Sequence, residues 1–346
     1  MLKDRVTIIG LGNAGCKITN EFQKLGYKTL LVNGSIQDLK ILGNAANVHL
    51  LKGYDGFGGD RSRAMDCLSS NMEFVETLRN INSEIIYLIF STGGSTGSSL
   101  GTLCAELLLE EDENRIVCCV PVLPNKEEPY VKHKNTFQCV KEMENLTELS
   151  SCIFIDNNKY SDLSKINSAF VNLLNTFLTD SAYSNKNNFD SSERIEMIKD
   201  KGAMILSKLC TEKLNDKLIP SLTYDNIFAP LQNDYVVGNI GIINSTDHGV
   251  DVSALIGELG KPSNLYEGYN AKNTLTVVSG LTYPIDHIIE LGTKAKQIEE
   301  ERMRSKEAAK SSLGDISFRE FEDNKKEVKK EKKMSKFELL QSLKNN

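Results

Sequence analysis

Short apolar runs alternate with helix-like segments through the first 160 residues, and this alternation limits the possible folds more than any other feature. The strand-like runs occupy residues 6–9, 29–32, 85–90, 116–120 and 152–155. Helical patterns separate them, for example over residues 61–79 and 100–110. This order predicts a Rossmann-like α/β fold, with a parallel sheet covered by helices on both faces. Sheets of this kind bind ligands in the loops that follow the carboxyl ends of their strands.

The rest of the chain predicts a long helix, a smaller second domain and a charged C-terminal helix. Apolar residues recur at three- and four-residue spacing over residues 161–184, which predicts one long central helix. Residues 218–280 contain strand-like runs at 235–243 and 274–278, typical of a small α+β domain. We expect a first domain at 1–180, a linker at 181–201, a second domain at 202–284, a helix at 285–312 and a flexible basic tail at 313–346.

Charge and composition exclude several classes of protein. A net charge of −6 over 346 residues argues against a chain that coats nucleic acid, although residues 324–333 form a locally basic run. No apolar run approaches the roughly 18 residues that a membrane helix needs. The first residues lack a secretory pattern, so we expect a cytoplasmic protein. The 8 cysteines form no C-x-x-C pair and the 4 histidines lie far apart, which predicts no metal site built from these side chains.

A glycine-rich loop follows the first strand and opens a helix. The predicted phosphate contacts in this loop are Gly10, Gly12, Asn13, Ala14 and Gly15. Glycine lets the backbone approach a phosphate, and the helix N-terminus supplies free N–H donors. The motif alone would also suit an NAD-dependent enzyme. Such an enzyme expects an acidic residue at the end of the second strand, where this chain has Asn33.

A second glycine-rich loop at residues 91–99, STGGSTGSS, follows another strand and precedes another helix. Its predicted phosphate contacts are Gly93, Gly94, Ser95, Thr96, Gly97 and Ser98. A third glycine-rich segment, residues 53–63, also contains acids and arginines. This segment is compatible with a contact to the terminal phosphate or with a place near a magnesium ion, and equally with a plain mobile loop. No G-x-x-x-x-G-K-[ST] motif occurs, which argues against a P-loop enzyme.

These loops, in this order, resemble those of the tubulin/FtsZ superfamily of GTPases. That family's signature is G-G-G-T-G-[ST]-G, and residues 93–99 match it except at Ser95 and Ser99. Residues 33–39, NGSIQDL, are similar to the family segment N-T-D-x-Q-x-L, which adds Asn33 to the predicted contacts. The resemblance extends over about residues 3–285. It implies the tubulin/FtsZ fold, GTP and GDP as ligands, and Mg²⁺ as their companion ion.

Two asparagines are candidates for contacts to the guanine base. Asn157 lies in the segment IDNN, which resembles the I-D-N of tubulin, and Asn175 lies in the predicted long helix. An amide there can pair with the guanine N1–H and N2 amino group. The alternative for each is an ordinary polar surface residue.

The segment NFDSSE, residues 188–193, resembles the family's catalytic loop N-x-D-x-x-[DE] in residue types, spacing and place in the chain. The resemblance implies that Asp190 and Glu193 are catalytic acids, assisted by Asn188. It also implies that they act on the nucleotide of the next subunit in a filament. Asp190 or Ser191 could equally cap the helix that follows, and both roles are compatible.

Within the superfamily the chain most resembles the TubZ group of plasmid and phage segregation proteins. The charged helix near residues 285–311 and the lysine-rich tail favour that group over FtsZ-type division proteins. The resemblance implies a longitudinal homopolymer whose tail binds a DNA-binding adaptor, so that DNA is contacted indirectly. The remaining alternatives are a homologue that does not hydrolyse GTP and a Rossmann-like NAD- or nucleotide-binding enzyme.

Overall fold

A computed structural model of the protein describes residues 2–112, 114–180 and 182–314. Contacts divide the chain into two units, residues 1–299 and 300–346. The first unit contains the sheet, and the second is described only as helix up to residue 314. The basic run at 324–333 and the rest of the predicted tail beyond residue 314 lie outside the described residues.

The strands form one sheet in the described part of the chain. They are β1 Val6–Leu11, β2 Lys28–Asn33, β3 Val48–Leu50, β4 Ile85–Ser91, β5 Ile116–Leu123, β6 Ser151–Cys152, β7 Ile155–Asp156, β8 Gly202–Leu209, β9 Asn239–Ser245, β10 Asn264–Ala271 and β11 Thr274–Leu281. Their order is β10-β9-β11-β8-β6-β5-β4-β1-β2-β3, with β7 also paired to β5. The strands from β3 to β8 are parallel, whereas β11 is antiparallel to both of its neighbours.

Helices connect the strands. They are α1 Gly12–Lys24, α2 Ile36–Ile41, α3 Arg63–Ser70, α4 Met72–Arg79, α5 Ser95–Glu111, α6 Tyr130–Asn145, α7 Leu163–Thr179, α8 Ser191–Lys199, α9 Leu214–Thr223, α10 Val252–Leu259 and α11 Ile285–Gly314. A short 3₁₀ turn, Leu2–Arg5, precedes β1. No helix among the described residues has the length and apolar character of a membrane span.

The central strands are buried on both faces. Every residue of β1 and β5 is buried, and so are six of the seven residues of β4. Continuous apolar strands of this kind are typical of a parallel sheet with helices on each side. The predicted α/β fold is confirmed, and its loops after β1, β2, β4 and β5 open at one edge of the sheet.

Several predicted elements differ in detail from those observed. The predicted helix over 61–79 is broken at Asn71, whose side chain accepts a hydrogen bond from Lys52 N (2.7 Å) and donates one to Lys52 O. The predicted strand at 152–155 is split into β6 and β7. Between them Ile153 N donates a hydrogen bond to Cys119 O, and Phe154 O accepts one from Ala229 N. Both departures follow from contacts with distant segments, which local patterns do not contain.

The strands of the expected second domain, β8 to β11, continue the same sheet. Strand β8 pairs with β6 through Ser151–Gly202 and Cys152–Ala203, which joins the parallel part to the antiparallel part. Strands β3 and β10 had no counterpart among the predicted elements, and β9 begins at Asn239, after the predicted start. The domain limits expected at residues 180 and 202 stay a prediction.

Candidate nucleotide site

The two predicted phosphate loops meet at the carboxyl edge of the sheet. Strands β1 and β4 are neighbours in parallel register, with Leu11 opposite Phe90, so the loops that follow them lie side by side. Gly12 has a φ of +72°, and a Cβ added there would lie 3.2 Å from the amide nitrogen of Gly97. Glycine is therefore required at position 12, both by its backbone conformation and by the approach of the second loop.

The helices that these loops open have uncapped N-termini. Among the residues that the structure describes, no side chain hydrogen-bonds to the first amides of α1 or α5, and neither helix has an acidic residue in its first turn. The free N–H groups and the positive end of each helix dipole favour an anion. Two such ends side by side suit a ligand with several phosphates.

A cleft of about 720 Å³ lies beside these loops, within the range of about 300–1,000 Å³ that is usual for small-molecule sites. The predicted residues that line it are Gly12, Asn13, Ala14, Asn33, Gly94, Ser95, Thr96, Gly97 and Asn157. The structure therefore brings together residues from the loops after β1, β2, β4 and β7 in one cleft.

Four predicted loop residues do not line the cleft. Gly10 and Gly15 lie under the first loop, where a Cβ at Gly15 would stand 2.0 Å from Ile89 O of β4. Gly93 O accepts a hydrogen bond from Asn135 Nδ2 (3.1 Å), and Ser98 is buried and accepts one from the Arg61 side chain. These residues shape the loops, and their predicted phosphate contacts have no support in the lining of the cleft.

The third glycine-rich segment also borders the cleft, through Asp55, Gly56, Phe57 and Gly58. Gly59 N donates a hydrogen bond to Ser95 Oγ (3.1 Å), which joins this segment to the second loop. Arg61 anchors its far end, because its guanidinium bonds Ser98 and forms an ion pair with Glu142 while only 9% exposed. The segment for which the sequence left a plain mobile loop as the alternative is thus fastened to the second phosphate loop.

The opposite end of the cleft is bordered by the β7 turn and by α7. Asn157 is present there, as predicted, and its O accepts a hydrogen bond from Asn125 Nδ2. Asn167 of α7 also lines the cleft, but Asn175 does not. Asn175 lies about two turns further along α7, where its Oδ1 accepts a hydrogen bond from Tyr27 Oη at 2.9 Å. The structure therefore places Asn175 outside the cleft lining and Asn167 within it.

Charged groups of both signs border the cleft. Lys17 and Lys132 supply positive charge, and Asp38, Asp55 and Glu128 supply carboxylates. Asn33 Nδ2 donates to Asp38 Oδ2 at 3.2 Å, which orients that carboxylate. None of these five charged residues, and not Asn167, was named individually from the sequence, although Asp55 lies in the third glycine-rich segment. Their position on elements that open at the same sheet edge was the available signal.

The three predicted catalytic residues lie away from this cleft, at the other end of α7. Asp190 caps α8, accepting from Ser192 N (2.8 Å) and Glu193 N (3.0 Å), and Glu193 accepts from Asp190 N in return. This is a capping box, so the helix-cap alternative holds in the structure. Asn188 closes the loop by two hydrogen bonds to the backbone of Ser184.

The rigid link between the two regions is α7. Ser164 lines the cleft near its start, and Phe177 O near its end accepts from Arg194 Nη1 of α8 (2.8 Å). At about 1.5 Å per residue, these two points of α7 lie roughly 20 Å apart.

Burial raises the pKa of the Glu193 carboxyl, against the opposing hydrogen bond from Asp190 N.

Comparison with known proteins gives relatives of one kind. Residues 5–165 match the model of the Tubulin/FtsZ family, GTPase domain. The chain is 25% identical over 290 residues to tubulin-like protein TubZ of Clostridium botulinum C phage. The aligned region covers 81% of this chain and 80% of TubZ. It is 28% identical over 175 residues to tubulin-like protein CetZ of Pyrococcus horikoshii, which covers 46% of each chain.

Solved structures share the fold. The crystal structure of TubZ from Clostridium botulinum phage c-st has a TM-score of 0.77 at 21% identity, covering 86% of this chain and 99% of that one. A GTPγS-form protofilament of TubZ from Bacillus thuringiensis serovar israelensis has a TM-score of 0.73 at 17% identity, covering 89% and 95%. With the family match and the cleft geometry, these findings assign residues 5–165 as a Tubulin/FtsZ-family GTPase domain, in a chain related to TubZ.

Proposed function

We propose that the protein binds GTP in this cleft, stacks head to tail into filaments, and hydrolyses GTP where one subunit meets the next. One observation supports this most directly. The two uncapped helix N-termini lie side by side at the nucleotide cleft, where Gly12 approaches Gly97. The acidic loop, residues 188–193, lies at the other end of α7, roughly 20 Å along the helix from the cleft. Acids at that distance cannot act on their own subunit's nucleotide, but a stacked neighbour could receive them.

In this proposal the cleft residues divide the nucleotide between them. The first turns of α1 and α5 donate backbone N–H groups to the phosphates, with Ser95 and Thr96 hydroxyls adding to them. Asn157 and Asn167 read the guanine edge at the other end of the cleft. Lys17 and Lys132 offset the phosphate charge.

The residues present also fit a magnesium ion that arrives with the nucleotide. Mg²⁺ is usually held by one or two carboxylates together with substrate phosphates, and Asp38 and Asp55 border the cleft. No cluster of three His, Cys, Asp or Glu side chains that could hold a metal occurs among the described residues, so the phosphates would supply part of the ion's coordination. When bound, Mg²⁺ would neutralise charge on the phosphates.

The incoming loop would complete the site. Phosphoryl transfer needs an oriented water and neutralised charge more than covalent help. Glu193, whose pKa burial already raises, is suited to accept a proton from that water, and Asp190 and Asn188 would help to hold it. The capping box keeps both carboxylates on a rigid helix start.

The biological role that we propose is segregation of plasmid or phage DNA. The similar proteins include a TubZ from a phage, and the similar structures include a TubZ-Bt two-stranded filament. The tail would bind a DNA-binding adaptor, so that DNA is attached indirectly. Deletion of residues 315–346 tests this step: plasmid loss should rise while GTP hydrolysis by the purified protein stays unchanged.

The central experiment compares GTP hydrolysis and pelleting across protein concentrations for wild type and Glu193→Gln. Glutamine keeps a carbonyl oxygen for Asp190 N but removes the acid. We expect turnover per subunit to rise with assembly in wild type and to fall by about 10²- to 10⁴-fold in the variant, which should still pellet with GTP. Glu196→Gln, an exposed change on the same helix, is the matched control and should hydrolyse normally.

Two results would overturn the proposal. If turnover per subunit does not depend on protein concentration, the site is not shared between subunits. If Glu193→Gln is fully active, the loop at residues 188–193 has no role in catalysis. Activity without any pelleting would instead describe a GTPase that works as a monomer.

A further inference from the structure

A buried carboxylate lies directly beside the base end of the cleft, the end that Asn157 and Asn167 border. Asp156, 1% exposed, ends β7 and precedes Asn157, which lines the cleft. Its Oδ1 accepts hydrogen bonds from Asn158 N (2.9 Å) and Asn158 Nδ2 (2.6 Å). Burial opposes the charge on Asp156, but hydrogen bonds from His287 and Asn158 outweigh it and hold the pKa of Asp156 below its usual value.

The second partner of Asp156 comes from α11. His287 lies in the first turn of that helix, and its Nε2 stands 3.0 Å from Asp156 Oδ2 with the side chain 16% exposed. Two further charges act on this pair: Lys159 on Asp156, and Glu290 on His287. A neutral imidazole with its proton on Nε2 and a protonated one can both donate this hydrogen bond.

Asn158 extends the connection to the other wall of the cleft. Its Nδ2 donates to Pro124 O (3.1 Å), and its Oδ1 accepts from Lys126 N (2.7 Å). The loop after β5 is thereby pinned to the β7 turn, and this loop leads into α6. The first turn of α6 and the residues before it present Lys132 and Glu128 to the cleft.

We propose that His287 is a positioning residue for the nucleotide cleft, through which α11 sets the affinity for the base. The path runs from His287 to Asp156, then through Asn158 to both walls of the base end. Removing the imidazole leaves a buried carboxylate oxygen without its partner, and the turn that carries Asn157 loses one of its restraints. The inference rests on the proposed binding of a guanine nucleotide in this cleft.

One consequence is reciprocal coupling. Any partner that displaces the start of α11 would weaken nucleotide binding, and a bound nucleotide would oppose that displacement by the same factor. This gives α11 a role in controlling the nucleotide, separate from the hydrolysis step at Glu193.

The test measures binding of GDP and of ADP to the full chain by titration calorimetry. His287→Ala should weaken GDP binding by about tenfold, near the lower end of typical coupling effects, and narrow the preference for GDP over ADP. His287→Gln, whose amide can replace the Nε2 donor, should stay within about threefold of wild type. Gln297→Ala, an exposed change about three turns further along α11, is the control and should bind like wild type.

A second readout separates positioning from general damage. In steady-state hydrolysis His287→Ala should raise KM while kcat at saturating GTP stays near wild type. If His287→Ala does not fold, His287→Asn, whose shorter amide cannot reach Asp156, replaces it in both assays.

The outcomes are distinguishable. If wild type binds no GDP, the proposed function fails and this inference with it. If wild type binds GDP and His287→Ala binds it equally well, only the inference fails. Equal losses in the alanine and glutamine variants would show that the hydrogen bond is not the connection, and would overturn it too.

Discussion

The helix N-termini near one end of α7, those of α1 and α5, differ from the N-terminus of α8 at its other end in how their backbone amides are satisfied. Both regions are polar loops that lead into a helix, with Gly, Ser and Thr in the second phosphate loop and Ser and Asn in the loop before α8. At the cleft, α1 and α5 begin without a side-chain cap from the described part of the chain. At the far end, Asp190 and Glu193 cap α8 in a reciprocal pair, and Asn188 satisfies the backbone of Ser184.

This difference shows which loop is built for a ligand in the isolated subunit. Unpaired amides at the cleft need an outside acceptor, and a phosphate supplies one. The amides of α8 already have their acceptors, so that loop is held rigid without a ligand. Its carboxylates can therefore be offered in a fixed geometry to a neighbouring molecule.

The largest expected effect comes from a variant that disrupts the uncapped helix start at the cleft. Gly12→Val places a β-branched side chain at a φ of +72° and close to Gly97 N. We expect nucleotide affinity to fall by about 100-fold or more, because each charge-assisted hydrogen bond to phosphate is worth about 1.5–3 kcal/mol. Calorimetry with GDP measures the loss, and circular dichroism checks that the variant is folded.

The matched control is Gly257→Ala, inside α10, where an added Cβ meets no atom within 4 Å. It should bind GDP normally and gain about 1 kcal/mol of stability. Normal binding by Gly12→Val would mean that the phosphates do not approach this loop.

An intermediate effect separates the two asparagines of α7. Asn167→Ala should weaken GDP binding about tenfold, because it leaves a guanine edge unpaired. Asn175→Ala should leave affinity unchanged and reduce the free energy of unfolding by about 1 kcal/mol through the lost bond from Tyr27. The reverse result would restore the base contact at Asn175 that the sequence alone had suggested.

The smallest effect concerns the cap of α8. Asp190→Ala should lower the free energy of unfolding by about 1 kcal/mol, whereas Asp190→Asn should retain most of it, since asparagine caps helices equally well. Chemical denaturation of both variants measures this. If both hydrolyse GTP slowly but only the alanine variant is destabilised, the acid has a role beyond capping.

Local signals predicted the chemistry-bearing loops well and the long-range contacts poorly. The first and second phosphate loops were predictable because each needs glycine directly after a strand and before a helix. The break at Asn71 was not, because it depends on the backbone of Lys52. Asn167 was missed because the helical pattern fixes which face of α7 is apolar, but not how far along its axis the cleft lies.

By itself the sequence determined the alternation of strands and helices, the two glycine-rich loops and the N-x-D-x-x-E segment, since these depend on residue type and spacing over a few turns. The tertiary structure decided which glycines face the cleft and which only let α1 pack on β4. It also decided that Arg61 fastens the third loop, and that His287 reaches Asp156 from the other end of the chain. Such contacts join residues that are distant in sequence, and packing of the sheet and its helices alone brings them within hydrogen-bond distance.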